Sequence, residues 1–292
     1  MNSFTIKDLE NLSGIKAHTI RIWEQRYKFL KPCRTCTNIR YYSNDELKKV
    51  LNIALLNKYG YKISHIDKME EYEVKERILS LSTQQAQQER ITHSLIQSLV
   101  DLDIDKLEKI LDNYICKHGI EKAIIQVIFP FLERIGILWL TGHINPAQEH
   151  LVSNIIRQKL ILGIETVSPA TKNNKSVLLF LPEGEHHEIG LLFVYYLFKN
   201  RGVQTIYLGA NIPMQDLEYV VNFKKPDFIY THLTCVGDAF NFDKFIKNIS
   251  KKFHGKPILI SGLLTHSYQK KNPSHVNFKK SFGAVMEFVE QL

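Results

Sequence analysis

The chain has 292 residues, four of them cysteine, and a formal net charge of +8 at pH 7. This length is enough for two or three domains with cores of their own, and so few cysteines exclude a disulfide-stapled secreted scaffold. No apolar run approaches the length of a membrane span and no secretory segment opens the sequence, so we expect a soluble, cytoplasmic protein with no membrane partner.

The positive charge is concentrated at the N-terminus. Residues 1–60 contain 11 lysines and arginines against five aspartates and glutamates, a net charge of +6. Such an excess fits a module that binds a polyanion, although a solvated basic face would give the same count.

Two short helices joined by a glycine-containing turn are predicted at the start of the chain. Ile6, Leu9 and Leu12 share one helical face, Ser13-Gly14 makes the turn, and a second helix runs from residue 16 or 17 to 25. This is the helix-turn-helix pattern, whose second helix lies in the major groove of DNA. Ile20 and Trp23 would pack inward, which leaves Lys16, His18, Thr19 and Arg21 facing outward. Residues 34–35 and 38–42 predict a short β-wing.

The run HTIRIWEQRY at residues 18–27, followed by KP, RT and IRYYSNDEL, resembles the winged-helix domain of the MerR family of transcription regulators over residues 4 to about 70. The resemblance implies binding to double-stranded operator DNA as a homo-oligomer, either a dimer or a tetramer. RNA polymerase or a partner regulator is a further candidate partner. The DNA contacts that it implies are Lys16, His18, Thr19, Arg21, Arg26, Arg40 and Tyr41.

The pair Cys33-x-x-Cys36 precedes the wing. A structural zinc site needs four tetrahedral ligands, and no second pair with this spacing occurs in the sequence. We therefore expect no zinc.

A helical bundle is predicted in the middle of the chain. Residues 82–90 are polar and lack apolar periodicity, which indicates a domain boundary. Apolar residues then recur at helical spacing in four segments between Ile91 and Leu160. Four such segments favour a small bundle.

From about Lys175 the chain alternates strands and helices, which predicts a doubly wound parallel sheet of the Rossmann-like kind. The predicted strands are 177–181, 204–208, 228–233 and 257–261. The fold class is therefore a multidomain α and α/β protein. Its predicted segments are a winged helix-turn-helix domain at 1–75, a linker at 76–90, the bundle at 91–170 and the Rossmann-like domain at 171–292.

A candidate ligand site follows the first of these strands. Glu185, His187 and Gly190 lie at a strand-to-helix turn, where open α/β sheets bind ligands. An imidazole there can present one nitrogen to a metal while a carboxylate holds the other, and glycine lets a large ligand approach the backbone. A solvated surface histidine is the alternative.

Two motifs together resemble the cobalamin-dependent MerR regulators of the CarA/CarH/LitR type. Trp139 is followed after nine residues by Glu149-His150, and Glu185-x-His187-x-x-Gly190 is complete. The resemblance implies that the first three side chains cap the upper face of a corrin ring. It implies that His187 is the lower axial cobalt ligand, which displaces the benzimidazole base so that the nucleotide tail inserts beside the sheet. The remaining residues that it assigns to the cofactor are Thr231, Leu233 and Gly262.

This sequence departs from that pattern twice. Gly262-Leu263 has one glycine where two usually line the tail pocket, and Leu140 stands where light-sensing members carry a histidine beside the tryptophan. His143 and His150 do not hold the matching position. Acceptance of complete cobalamin and light sensing are therefore left open.

The resemblance implies a transcription regulator that senses a corrinoid, with adenosylcobalamin as the expected form, between the bundle and the Rossmann-like domain. A regulator of this kind is no enzyme and needs no catalytic residues. The first alternative keeps DNA binding but has a C-terminal half that binds no cobalamin and responds to a protein partner or another ligand. A corrinoid methyl-carrier protein is the second alternative, against which the DNA-binding domain argues.

Overall fold

The computed structural model describes residues 4–27, 29–34, 38–81, 83–140, 144–169, 172–234, 240–266 and 268–292. The chain divides into two compact units, Met1–Ile155 and Ile156–Leu292. In the described part of the chain, no helix is both long and apolar enough to cross a membrane.

The first unit begins with a winged helix-turn-helix. Gly14, at a φ of 74°, adopts the left-handed conformation that ends the first helix and makes the turn. Side chains of Thr5 and Ser43 cap two of the helices, each in a reciprocal capping box. The two wing strands are antiparallel, with Cys33 opposite Tyr41. The elements are α1 (Ile6–Ser13), α2 (Ala17–Arg26), β1 (Cys33–Arg34), β2 (Arg40–Tyr41) and α3 (Asn44–Lys58).

Helices make up the rest of the first unit. The polar segment that we predicted as part of a linker is helical from Gln84 onward, because Thr83 caps that helix and its later turns bury Leu95 and Leu99. The predicted helical bundle is confirmed, whereas the domain boundaries stay predictions. The elements are α4 (Ile63–Ile66), α5 (Glu71–Ser80), α6 (Gln84–Val100), α7 (Ile104–His118), α8 (Ile120–Ala123), a π-helical turn (Ile124–Ile128), α9 (Phe129–Leu140) and α10 (Pro146–Glu165), whose residues from Ile156 onward belong to the second unit.

The π-helical turn has a local cause. Pro130 lacks a backbone N–H, so the carbonyl of Gln126 loses its ordinary helical donor and the ladder is interrupted there. The N–H of Phe129 donates to the carbonyl of Ile124 instead, five residues earlier, and one wide turn joins α8 to α9.

The winged domain packs directly against the bundle within this unit. Arg134 of α9 donates from Nη1 to the carbonyl oxygens of Asn11 at 2.8 Å and of Leu12 at 2.6 Å, in the last turn of α1. Lys48 of α3 forms an ion pair of 2.8 Å with Asp101, just after α6. Helices α1 and α3 are thereby held to the bundle by polar contacts as well as by packing.

The second unit contains a five-stranded parallel sheet with helices on both faces, so the predicted fold class is confirmed. The strand order is β4-β3-β5-β6-β7. Leu178, Phe180 and Leu233 belong to the apolar cluster on the α12 and α13 side, and α11 and α14 cover the other face. The elements are β3 (Ser176–Pro182), α11 (Ile189–Asn200), β4 (Gln204–Ile212), α12 (Met214–Lys224), β5 (Phe228–His232), α13 (Phe242–Lys252), β6 (Ile258–Ser261), a 3-10 turn (Leu263–His266), β7 (Val276–Lys279) and α14 (Phe282–Glu290).

Four of the five strands were predicted from the sequence. The remaining strand, β7, is a short edge strand of four residues in which Val276 is buried and Asn277 is exposed. An edge strand buries little surface, so its sequence lacks the continuous apolar run that marks the inner strands.

Candidate functional site

The predicted recognition helix presents one polar face to solvent. Ile20 and Trp23 of α2 are buried in the winged domain. The predicted DNA-binding residues of this segment, Lys16, His18, Arg21 and Arg26, are exposed, and Thr19 is partly exposed. The helix therefore has the arrangement that readout in a major groove requires.

The wing is tied to this helix by a buried carboxylate. Arg40 donates from Nε to Glu24 of α2 at 3.0 Å, and the hydroxyl of Tyr42 donates to the other oxygen of Glu24. Burial, together with Glu24, raises the pKa of Tyr42 well above its usual range, so the tyrosine stays protonated. Arg40 thus positions the wing and, together with the half-buried Tyr41, lies at its surface. Glu24 gave no sequence signal, because it lies in α2 whereas its partners Arg40 and Tyr42 lie in the wing.

The cysteine pair is described only in part. Cys33 is exposed on β1, and Cys36 lies outside the described residues. Among the residues whose positions are described, no group of three or more histidine, cysteine, aspartate or glutamate side chains could hold a metal ion.

The predicted cap residues Trp139, Glu149 and His150 lie on the successive helices α9 and α10. Trp139 is the second-last residue of α9, and its side chain is 52% exposed although tryptophan usually packs into a core. Glu149 and His150 open α10, and His150 Nδ1 lies 3.2 Å from a carboxylate oxygen of Glu149. Only the backbone of Leu140 is described, and His143 lies outside the described residues.

In the second unit, the loop after β3 holds His187 in a fixed orientation. Glu185 is fully buried, and one of its oxygens accepts both the backbone N–H of His187 at 2.9 Å and a hydrogen bond from His187 Nδ1 at 2.7 Å. The other oxygen accepts the N–H of Thr234 at 2.9 Å. A proton on Nδ1 places the lone pair on Nε2, and the imidazole is 57% exposed. This is the carboxylate–histidine pairing that supports a metal-ligating imidazole.

Further contacts hold both ends of the loop. Asn211 of β4 accepts the N–H of Gly184 at 2.9 Å through its side chain and donates its own N–H to the carbonyl of Glu185 at 3.2 Å. Glu188 accepts a hydrogen bond from Tyr207 at 2.8 Å and forms an ion pair with Arg157 at 2.7 Å. The geometry at His187 is therefore preorganised. Glycine, asparagine and tyrosine at these positions gave no sequence signal because their partners are distant in the chain.

Gly190, at the start of α11, is needed for a close approach from within the protein. A Cβ atom at this position would lie 2.4 Å from two atoms of the His232 ring. His232 is buried at the end of β5, its Nδ1 lies 2.7 Å from Ser261 Oγ, and its ring stacks on Phe282 with centroids 5.1 Å apart. Burial lowers the pKa of His232 to about 4, so the ring is neutral at pH 7. The space beside Gly190, which we call the glycine niche, is thus filled by an imidazole.

The structure does not bring Thr231 and Leu233 to the glycine niche. Side chains alternate along β5, so Thr231 and Leu233 share a face with Ile229 and the apolar cluster under α12 and α13, whereas His232 faces α11 and α14. Thr231 Oγ1 is buried without a hydrogen-bond partner. The residue of β5 that reaches Gly190 is therefore the one between them.

Gly262 has a structural role at the end of β6. Its φ is 99°, and a Cβ atom would lie 2.2 Å from the carbonyl oxygen of Leu233, so only glycine fits there. Leu263 is 70% exposed, so its side chain fills no pocket within this unit. The residue before Gly262, Ser261, is the one that contacts His232.

Glu185 and His187 fit the metal of a bound corrinoid well. A single carboxylate-supported imidazole suits a metal whose other donors come from its own ring. The glycine niche on the sheet side of the same loop fits less well, because His232 fills it. Axial ligation is therefore supported by the donor set, whereas room for a large appendage beside Gly190 requires His232 to move.

Comparison with known proteins identifies two family matches. Residues 4–73 match the MerR HTH family regulatory proteins, and residues 91–162 match the B12 binding domain. The chain is 27% identical over 274 residues to the HTH-type transcriptional repressor CarH of Myxococcus xanthus, which covers 91% of each chain. It is also 27% identical over 271 residues to the repressor CarA of the same organism, covering 91% of this chain and 88% of that one.

A solved structure is similar in fold. The Methanosarcina barkeri monomethylamine corrinoid protein superposes with a TM-score of 0.56 over 70% of this chain and 99% of its own, at 10% sequence identity.

Proposed function

We propose that the chain, in which residues 4–73 match the MerR HTH family regulatory proteins and residues 91–162 match the B12 binding domain, is a cytoplasmic regulator whose binding to operator DNA responds to a corrinoid. Adenosylcobalamin is the expected ligand. The single observation that carries the corrinoid response is the buried Glu185 that holds His187 by both its backbone and its ring. A regulator of this kind binds and releases its ligands and needs no catalytic residue.

We propose that the exposed residues of α2 and the wing read the operator. Lys16, Arg21 and Arg26 carry the charge that attracts phosphates, and His18 and Thr19 can reach base edges. Arg40 and Tyr41 contact the backbone from the wing. Because operators of this family are two-fold symmetric, the chain acts as a homo-oligomer, with RNA polymerase or a partner regulator as further contacts.

We propose that His187 binds the lower face of the corrinoid, and that Trp139, Glu149 and His150 meet its upper face. A bound cobalamin supplies the cobalt ion and the donors of its ring. The protein contributes one oriented imidazole, whose carboxylate partner raises its basicity as a ligand. The exposed Trp139 supports the cap assignment, because a half-exposed tryptophan is available to cover an apolar ligand. Gly190 and Gly262 shape the backbone near this ligand, and Thr231 and Leu233 shape the sheet beneath it.

The link from ligand to DNA runs through α9 in this proposal. Helix α9 carries Trp139 near its end and contacts the DNA-binding domain through Arg134. A ligand that binds one arrangement of α9 more tightly than another shifts the population of that arrangement, and with it the position of α1. Both curated relatives are named as repressors, and we propose repression here as well.

The test uses the purified full-length protein. Operator duplexes are first selected from random DNA, and their affinity is then measured with and without adenosylcobalamin, in darkness and after illumination. We expect a change in the corrinoid absorption spectrum on binding and a change of about tenfold in DNA affinity, as is typical of coupled sites. Comparison of dark and illuminated samples tests whether light reverses the effect.

The matched variants His187→Ala and His186→Ala test which histidine of the loop binds the cobalt of the corrinoid. His186 is the neighbouring exposed histidine of the same loop, so both variants lose one imidazole from one segment. We expect His187→Ala to lose the spectral change and His186→Ala to keep it. Equal behaviour of the two variants contradicts the axial role of His187.

A second candidate function is favoured by the filled glycine niche. His232 occupies the space beside Gly190, so the C-terminal half could act without cobalamin and respond to a protein partner or another ligand. DNA binding that is unaffected by adenosylcobalamin, together with an unchanged corrinoid spectrum, selects this candidate.

A further inference from the structure

We propose that His232 selects among corrinoids by their nucleotide tail, so that the protein prefers a tail-free corrinoid such as a cobinamide over a complete cobalamin. The inference rests on the proposed corrinoid response and goes beyond it, because it names the form of the ligand and the residue that chooses it.

A nucleotide base displaced by His187 must lie close to the loop that carries this histidine. In free cobalamin the nucleotide base occupies the lower face of the ring, to which it stays tethered when another ligand replaces it. With His187 on the cobalt, the base hangs on the same side as the loop from Glu185 to Gly190. It must then lie against this loop or enter the protein beside it.

The His232 ring fills the protein beside this loop. Gly190 follows His187 by one short turn, and its missing side chain leaves the glycine niche between the start of α11 and the sheet. The His232 ring fills this niche so closely that even a methyl group at position 190 would overlap it, at 2.4 Å. A flat aromatic base and the His232 ring therefore compete for the same volume.

Buried polar and aromatic contacts hold the His232 ring in place. Ser261 Oγ lies within hydrogen-bond distance of both His232 Nδ1 and the hydroxyl of Tyr230, and all three side chains are buried. Phe282 stacks on the imidazole ring, with centroids 5.1 Å apart. Moving His232 out breaks this buried network and strands its polar atoms, which is costly in a dry site. A complete cobalamin must meet this cost on binding, whereas a cobinamide does not.

The test compares two ligands that share the corrin ring. Hydroxocobalamin and diaquacobinamide are titrated into the full-length protein, and dissociation constants are read from the absorption spectrum. We expect the wild-type protein to bind the cobinamide at least about tenfold more tightly, a difference of about 1.4 kcal/mol. This comparison needs no substitution and so does not depend on the folding of a variant.

Two substitutions then test whether the preference for cobinamide over cobalamin depends on His232. His232→Ala empties the niche and is expected to tighten cobalamin binding by about tenfold, with cobinamide binding within about twofold of wild type. His232→Phe keeps a ring of similar volume and is expected to keep the preference for cobinamide. Retained cobinamide binding also shows that each variant is folded.

The outcomes separate this inference from the proposed function. Equal affinity of wild-type protein for the two ligands, or a ligand preference unchanged in His232→Ala, overturns the selection by His232 and leaves corrinoid sensing in place. Failure of every variant and the wild type to bind either ligand overturns the corrinoid response itself.

Discussion

Replacement of Arg134 by methionine should loosen the DNA-binding domain from the helical bundle. The guanidinium donates two hydrogen bonds, of 2.8 and 2.6 Å, to carbonyl oxygens in the last turn of α1. These carbonyls lack helical donors and carry the negative end of the helix dipole, so a cation is the favoured partner. Hydrogen bonds that involve a charged group contribute about 1.5–3 kcal/mol, and for this half-buried pair we expect a loss of about 2 kcal/mol.

Intrinsic fluorescence can follow this loss in the full-length chain. Its two tryptophans, Trp23 and Trp139, both lie in the first unit, so urea unfolding monitored at their emission reports that unit alone. Arg134→Met should lower the free energy of unfolding, obtained from the urea midpoint, by about 2 kcal/mol. Arg134→Lys keeps the charge but lacks the forked donors of the guanidinium, so it should lower the free energy of unfolding by roughly half as much. The exposed neighbour substitution Glu133→Gln is the matched control.

The same variants test the proposed link between ligand and DNA. If α9 transmits the ligand signal, Arg134→Met should keep operator binding but respond less to adenosylcobalamin than the Glu133→Gln control. Ordinary surface substitutions change the free energy of unfolding by no more than about 0.5 kcal/mol. A change within this range for Arg134→Met would refute the structural role assigned to this arginine.

Three further predictions concern other parts of the chain. Gly190→Ala should destabilise the second unit by about 1–3 kcal/mol through overpacking, and adding His232→Ala should remove most of that loss in calorimetric melts; an additive double variant contradicts the contact. Burial, with neighbouring cations, lowers the pKa of His93 from 6.5 to about 4. The unfolded chain then takes up a proton between these values that the folded chain does not, so stability should fall by about 1–2 kcal/mol from pH 7 to pH 5. His93→Gln should flatten this dependence in fluorescence-monitored urea titrations, and an unchanged slope argues against it. Arg21→Ala should weaken operator binding. It should also reduce by about 1 the slope of the logarithm of the DNA-binding constant against the logarithm of the salt concentration. Gln25→Ala on the same helix should change this slope little.

Local chemistry made much of the fold predictable. Gly14 between two short apolar-periodic helices indicates a helix-turn-helix, and it occupies the left-handed position that ends α1. The inner strands of the sheet are buried on both faces, so each contains a run of apolar residues that stands out from its surroundings. The pairing of His187 with Glu185 was also predictable, because the two residues share one loop.

Contacts between distant residues were not predictable in the same way. The overlap of Gly190 with the His232 ring and the support of His232 by Ser261 join three separate elements of the sheet domain. Periodicity carries no information about such pairings. One signal was available, because a histidine inside a fully buried strand must have a polar partner. The predicted ligand contacts Thr231 and Leu233 lie on the other face of that strand, and their role stays a prediction.

The π-helical turn at Ile124–Ile128 constrains how this helix can change over evolution. Each residue of an α-helix advances by about 100°, so Arg134 and Trp139 point about 140° apart. The π-helical turn holds one residue more than an α-helical turn, so it sets the direction of both side chains at once. Deletion of a single residue upstream would swing Arg134 away from α1 and Trp139 away from its present direction by the same angle. Insertions and deletions between Ile120 and Arg134 should therefore be excluded among functional relatives, while substitutions that keep the helix length are tolerated.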